Sequence, residues 1–244
     1  MLLAVDIGNT STHFGVFRGD KLLKEWRVLT GRISEYQNIR KRISENRYKV
    51  IRTVVVASVV PQANKFIKKI FPGALFVDHK NIGIKINTKK PAEVGADRLV
   101  DALAAYKLYG GPCIVVDFGT ATTFDVISAK GEYLGGAIAP GVLLARDSLH
   151  QKTAKLPLIA IKAPTKTIGC DTVEAMRSGL VFGYVAMVEG MVKRIKSEVQ
   201  SPKSKVKVIA TGGLAEMICK YTTVVDRIDM ELTLKGLNYV GRTK

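Results

Sequence analysis

Two distant stretches of the chain carry one pattern of apolar and polar positions. Residues 2–17 read LLAVDIGNTSTHFGVF, and residues 113–127 read CIVVDFGTATTFDVI. Each is an apolar run, then Asp-x-Gly, then small hydroxyl residues, then an alternating run. Alternation with a period of two marks a strand, and glycine beside small polar residues marks a tight turn. A strand–turn–strand unit is therefore predicted twice. Strands are expected over 2–5, 12–17 and 21–28, the last two joined by a hairpin at Arg18-Gly19-Asp20. Ile33, Tyr36, Ile39 and Ile43, spaced by three and four, predict an amphipathic helix over 32–49. VVVASVV at 54–60 reads as a buried strand. Pro61 suits the first turn of a helix running to about Ile70, and ALFVD at 74–78 is a further strand.

After an irregular stretch at 79–94, GADRLVDALAAYKLYG predicts a long helix stopped by Gly110-Gly111. The pattern restarts at 113 with two or three strands, to about Tyr133. Gly135-Gly136 and Pro140-Gly141 then punctuate loops, 171–198 is a long helix, and VKVIATGGLA at 206–215 is a strand entering a glycine turn and a helix. Strands come first in each half and helices follow. The expected fold is a duplicated α/β architecture of mixed sheets flanked by helices, with domains at 1–110 and 111–244.

Composition narrows the classes. At 244 residues with 47% hydrophobic content there is ample core, and only 7% is aromatic, so that core is aliphatic. The net charge of +17 invites a nucleic-acid reading. The cations are spread along the chain, however: Arg40 to Arg52, Lys65 to Lys69, Lys193 to Lys196, and Lys203 to Lys207. No arm gathers them, which argues against a nucleic-acid partner and leaves a field that attracts anionic substrates. Cys113, Cys170 and Cys219 are odd in number and form no Cys-x-x-Cys, against a disulfide framework or zinc site and for a reduced, cytoplasmic setting. The N-terminal apolar run ends at Asp6 without a basic leader, and VVVASVV is too short to cross a bilayer, so no membrane role is expected.

The chemistry gathers at four places. In Asp6-Ile7-Gly8-Asn9-Thr10, a glycine turn lets backbone N–H groups approach an anion, the neighbouring hydroxyls add donors, and Asp6 can hold Mg²⁺ through water. Asp117-Phe118-Gly119-Thr120 repeats it. Gly212-Gly213, at a strand end, leaves a flat backbone surface for an adenine or ribose. Gly95-Ala96-Asp97-Arg98 opens a helix. Asp97 reads either as an N-cap or as a general base, with Arg98 beside it to bind a carboxylate or phosphoryl group. Asp101, four residues on, shares its helix face.

The two hairpins with the Gly-Gly loop resemble the actin-like ATPase plan (ribonuclease H-like domains) of sugar kinases and hsp70 chaperones. DIGNT at 6–10, GADR at 95–98, DFGTATTFD at 117–125, GGAIAPG at 135–141, TAKLP at 153–157, ATGGLA at 210–215 and LTLKGL at 232–237 resemble, in the same order, the type III pantothenate kinases. That resemblance spans essentially the whole chain. It implies ATP-dependent phosphorylation of pantothenate, the first committed step of coenzyme A synthesis, in a homodimer. By position it implies ATP contacts from Asp6, Ile7, Gly8, Asn9, Thr10, Ser11, Thr12, His13 and Thr120. It implies a base at Asp97, and pantothenate contacts from Gly95, Ala96, Asp97, Arg98 and Thr172. Asp117 matches the residue that holds a monovalent cation, K⁺ or NH₄⁺. Two positions depart from the family: Thr88 stands where a tyrosine touches pantothenate, and Asp101 where asparagine is common. A phosphatase on the same fold, using water as acceptor, and a nucleotide-dependent regulator are the rival readings.

Overall fold

The first strand–turn–strand unit forms as its alternation requires. In the computed structural model, which describes residues 1–31, 39, 51–199 and 205–244, strand β1 (Leu2–Ile7) pairs antiparallel with β2 (Ser11–Arg18). β2 pairs with β3 (Lys21–Leu29) across the Arg18-Gly19-Asp20 turn. β1 also pairs in parallel with β4 (Thr53–Ser58), and β4 with the short β5 (Leu75–Phe76). The sheet order is β3-β2-β1-β4-β5. The expected helix over 32–49 lies outside the described residues except for Ile39, which is helical and fully buried.

Helix α1 (Pro61–Ile70) starts on proline, whose missing N–H costs nothing in a first turn. It buries Ala63 and Ile67 against Leu3, Val5, Ile7, Val54 and Val56. A 3₁₀ turn (Pro91–Glu93) leads into α2 (Ala96–Tyr109).

The second half repeats the plan. β6 (Cys113–Phe118), β7 (Ala121–Ile127) and β8 (Tyr133–Pro140) form an antiparallel meander. β9 (Lys207–Thr211) pairs in parallel with β6, and β10 (Arg227–Ile228) with β9. Read from the other edge, β8-β7-β6-β9-β10 has the strand directions of β3-β2-β1-β4-β5. Helix α3 (Val142–Lys152), the 28-residue α4 (Thr172–Val199) and α5 (Ala215–Cys219) complete this half. α4 buries Met176, Leu180, Val181, Val185, Val188 and Val192 against Ile114, Val116, Phe124 and Val208. Each fully buried aliphatic side chain of this kind stabilises by about 1.5–3 kcal/mol.

The chain forms two compact units, Met1–Leu108 with Glu231–Lys244, and Tyr109–Met230. The expected division placed 111–244 in one domain, and the C-terminal helix α6 (Leu232–Thr243) corrects it. A Cβ on Gly241 would collide with Leu2 and Val55, and one on Gly236 would lie 2.6 Å from Val100. The helix thus lies directly on β1, β4 and α2. Asn238 donates to the Gly19 carbonyl at 2.9 Å, and Arg242 pairs with Asp20. A second correction concerns Gly135-Gly136, expected in a loop. Both lie inside edge strand β8, where the β7–β8 register shifts and Gly135 takes φ 111°. An edge strand tolerates such a bulge because one side of it carries no ladder.

Candidate active site

In the first unit, Asp6 stands opposite His13 of β2 and Ala57 of β4, one residue before the β1 end. The Gly8 N–H donates to the Ser11 carbonyl at 3.1 Å and closes the turn. Two contacts from the end of β3 fix it: Thr30 Oγ1 donates to the Gly8 carbonyl at 2.7 Å, and the Thr30 N–H donates to Thr10 at 3.1 Å. Thr12 and Thr30 hydroxyls lie 3.1 Å apart in the interior. Asn9 and Thr10 form the exposed rim, and Asp6, Gly8 and Ser11 are half-buried. Ile7, Thr12 and His13 are buried. His13 Nε2 lies 2.8 Å from Glu25 Oε2, which ties its ring to β3. Burial lowers its pKa, Arg27 lowers it further, and Glu25 opposes both.

Asp97 comes to the same end of the same sheet. The Val59 N–H, just past β4, donates to the Ile7 carbonyl at 3.1 Å. Gly95 abuts Val59, since a Cβ there would lie 3.5 Å from Val59 Cγ1. Asp97 is the second residue of α2 and not its N-cap. Its Oδ1 accepts the Arg98 N–H at 2.8 Å. Part of its surface stays in solvent, yet burial raises its pKa above the usual carboxylate range, opposed by the Arg98 N–H bond and guanidinium charge. A raised pKa with an open face is what a proton acceptor for an alcohol needs. Ala96 is buried, Arg98 half-buried, and Asp101 is buried one turn further on. Thr88 is half-buried, with its Oγ1 buried and lacking a hydrogen-bond partner among the described residues.

Gly95 has a specific reason to be glycine. A Cβ there would lie 2.5 Å from Asp97 Oδ1, the far end of a movable side chain. Gly95→Ala is therefore expected to turn the carboxylate aside at little cost in folding. Turnover should fall by about 10-fold or more for a displaced reacting group, with melting temperature within about 3 °C of the parent. Steady-state kinetics beside thermal denaturation check this.

The second unit repeats the turn. Asp117 stands opposite Thr123 of β7 and Thr211 of β9. The Gly119 N–H donates to Ala121 at 3.1 Å, and the Gly141 N–H donates to Thr120 at 3.1 Å. Thr120 is exposed and Asp117 half-buried. A Cβ on Gly119 would lie 3.1 Å from Asp117 Oδ2, and one on Gly212 would fall on Oδ1. The Asp117 carboxylate is thus turned to Gly119 and Gly212, at the carboxyl ends of β6 and β9. Thr172 is exposed at the start of α4. It lines a largely apolar cavity of about 550 Å³ with Leu149 and Leu156, and with Ala175, Met176, Gly179 and Leu180 of α4.

Sequence reasoning missed Thr30 and Gly141, which fix the two turns. Pro140-Gly141 was a visible signal, whereas nothing local marks Thr30. Among the described residues no three His, Cys, Asp or Glu side chains group as a metal site, and no helix is long and apolar enough to cross a membrane. The three cysteines are free.

An Asp-Gly turn at the carboxyl ends of the parallel strands of each of two like-ordered sheets defines the actin-like ATPase and sugar kinase fold. Solved structures with this architecture include the polyphosphate/ATP-glucomannokinase of Arthrobacter sp. strain KM (TM-score 0.54, 14% identity, 100% of this chain and 99% of that one). A Campylobacter jejuni protein assigned to the Baf family of transcriptional activators is also similar (TM-score 0.64, 19% identity, 99% and 98%). At these identities the likeness is one of fold. Residues 2–194 match the family model of type III pantothenate kinases. The chain is 44% identical over 254 residues to the type III pantothenate kinase of Moorella thermoacetica, covering 98% of each. The chain belongs to the type III pantothenate kinase family.

Proposed function

We propose that this chain transfers the γ-phosphoryl group of ATP to the primary hydroxyl of pantothenate, giving 4′-phosphopantothenate for coenzyme A synthesis. The observation that carries this reading is Asp97: a partly open carboxylate of raised proton affinity beside the turn that follows Asp6. In the reaction the acceptor hydroxyl gives its proton to Asp97. Its oxygen bonds to the γ-phosphorus as the bond to the β–γ bridging oxygen breaks, and ADP leaves with that electron pair. The turn at Gly8–Ser11 offers phosphate oxygens N–H and hydroxyl donors, with Asn9 and Thr10 on its exposed rim, and in the second unit the Gly119–Thr120 turn offers donors of the same kind, with Thr120 exposed. Gly95 to Arg98 bind pantothenate in the first unit, where Thr88 offers a hydroxyl in place of an aromatic wall, and Thr172, on its apolar cavity in the second unit, is a further pantothenate contact. Positioning and electrostatics supply most of the rate.

Asp6 and Asp117 are single hard-oxygen donors beside glycine turns. This donor set suits Mg²⁺ at Asp6 and K⁺ or NH₄⁺ at Asp117, with the remaining ligands from water, main chain and nucleotide. Bound there, the cations supply charge that offsets the phosphates. The protein acts as a cytoplasmic homodimer, and exposed Leu143, Leu144, Leu158 and Ile168 give the second unit apolar surface for a second copy. The test is ATP consumption with and without pantothenate, run in Na⁺, K⁺ and NH₄⁺. Turnover that requires pantothenate and rises in K⁺ or NH₄⁺ supports the reading. Equal ATP hydrolysis without acceptor favours the phosphatase.

The raised pKa of Asp97 fixes the sign of a pH dependence. A base works only when deprotonated, so kcat falls as pH drops through the Asp97 pKa. The acid limb is expected above the ordinary carboxylate range of about 3.9. A pH–rate profile in which that limb lies at or below an unperturbed carboxylate contradicts the assignment.

A further inference from the structure

Alternate residues of a strand share a face, so the face of β6 that carries Asp117 also carries Val115 and Cys113. Their partners across the β6–β7 ladder are Thr123, Asp125 and Ile127. Asp117 stands directly opposite Thr123. Directly opposed side chains have Cβ atoms about 4.5–5.5 Å apart, near enough for a threonine hydroxyl to reach a carboxylate. Yet the Thr123 hydroxyl does not bond to Asp117. It donates along its own strand to Asp125 Oδ2 at 3.0 Å. The other oxygen of Asp125 accepts from the Tyr133 hydroxyl at 2.7 Å. All three are buried: Thr123 is 8% exposed, Asp125 1% and Tyr133 1%. A buried hydroxyl takes an acceptor wherever one is in reach. Thr123 has two carboxylates near it, and the fold commits it to Asp125.

We propose that Asp125 is a positioning residue for the Asp117 turn. By accepting the Thr123 hydroxyl it keeps that donor off the Asp117 carboxylate, which stays turned to Gly119 and Gly212. Tyr133 sets the rotation of Asp125 so that Oδ2 faces Thr123. This inference rests on the reading of Asp117 as a residue beside the nucleotide phosphates. Without the Asp125 carboxylate, Asp117, directly across the ladder, becomes an acceptor for the Thr123 hydroxyl. A hydroxyl donated there occupies a lone pair and spreads the negative charge that a cation needs.

The experiment is calorimetric titration with the non-hydrolysable analogue AMP-PNP, in Mg²⁺ and K⁺, using the full chain. Asp125→Ala is expected to weaken binding about 10-fold, the scale of one charge-assisted hydrogen bond. Thr123→Val alone should bind within about twofold of the parent, because the donor is gone. The double variant Asp125→Ala/Thr123→Val should recover to within about threefold. That rescue is what a merely structural role for Asp125 would not produce. Where Asp125→Ala fails to fold, Asp125→Asn, with and without Thr123→Val, carries the same comparison. A double variant as weak as Asp125→Ala, or an Asp125→Ala protein that binds like the parent, overturns the inference. Asp117→Asn in the same series separates the two levels: if it binds like the parent, the reading of Asp117 fails and takes the inference with it.

Discussion

Asp97→Asn should abolish most turnover while leaving nucleotide binding nearly intact. The amide keeps the shape of the side chain and can still accept the Arg98 N–H through its carbonyl oxygen. It cannot take a proton from an alcohol. The expected loss in kcat is about 10²–10⁴, the range for a positioned general base, with ATP affinity within about twofold. A second effect has the opposite sign. Burial raises the Asp97 pKa in the folded chain, so between its unfolded and folded values the unfolded state holds fewer protons. Stability contributed by this residue therefore falls as pH rises through that window, and a neutral amide escapes the loss. Asp97→Asn should melt higher than the parent at pH 7 while turning over far more slowly. Parent-like turnover removes Asp97 from the proposed role. A lower melting point at pH 7 would instead contradict the burial argument.

Gly212→Ala should damage both fold and nucleotide binding. Gly212 takes φ 91°, which L side chains rarely adopt. A Cβ would lie 2.7 Å from the Phe118 nitrogen and carbonyl carbon and would fall on Asp117 Oδ1. Backbone cannot swing away as a side-chain tip can. Strain of about 1–3 kcal/mol and overpacking of about 1–3 kcal/mol add to roughly 2–6 kcal/mol. For a chain of this size the melting temperature should drop by about 5–20 °C. The displaced carboxylate should also weaken AMP-PNP binding in whatever fraction folds. Thermal denaturation and calorimetry together test this, and a variant that melts and binds like the parent contradicts the packing described at β6 and β9. The contrast with Gly95→Ala is instructive, because there the same added methyl meets only a movable carboxylate.

The strands and the site motifs were legible because their signals are local. The apolar runs opening at 2 and 113 form central strands, and each Asp-x-Gly falls at a strand end facing a turn. Pro61 marked the start of α1, and GADR marked the start of α2. What escaped was set by tertiary packing. Helix α3 buries only Val142 and exposes Leu143 and Leu144, so it has no apolar stripe to read. The return of α6 to the first unit depends on Gly236 and Gly241 meeting Val100, Leu2 and Val55, contacts with no local signature. His13 sits inside a nucleotide-like motif, and its contact with Glu25, which β3 brings across the ladder, has no local signature. The Asp125 pairings needed the β6–β7 register before Thr123 could be placed between two carboxylates.

Two like-ordered sheets each offer an Asp-Gly turn, and a carboxylate of raised pKa stands beside the first. The direct measurement is product identification: the purified chain, ATP, Mg²⁺, K⁺ and pantothenate, followed by phosphorus NMR and mass spectrometry. One equivalent of 4′-phosphopantothenate per ADP, formed by the parent and nearly lost in Asp97→Asn, is the expected result. ADP accompanied by inorganic phosphate and unmodified pantothenate would contradict it.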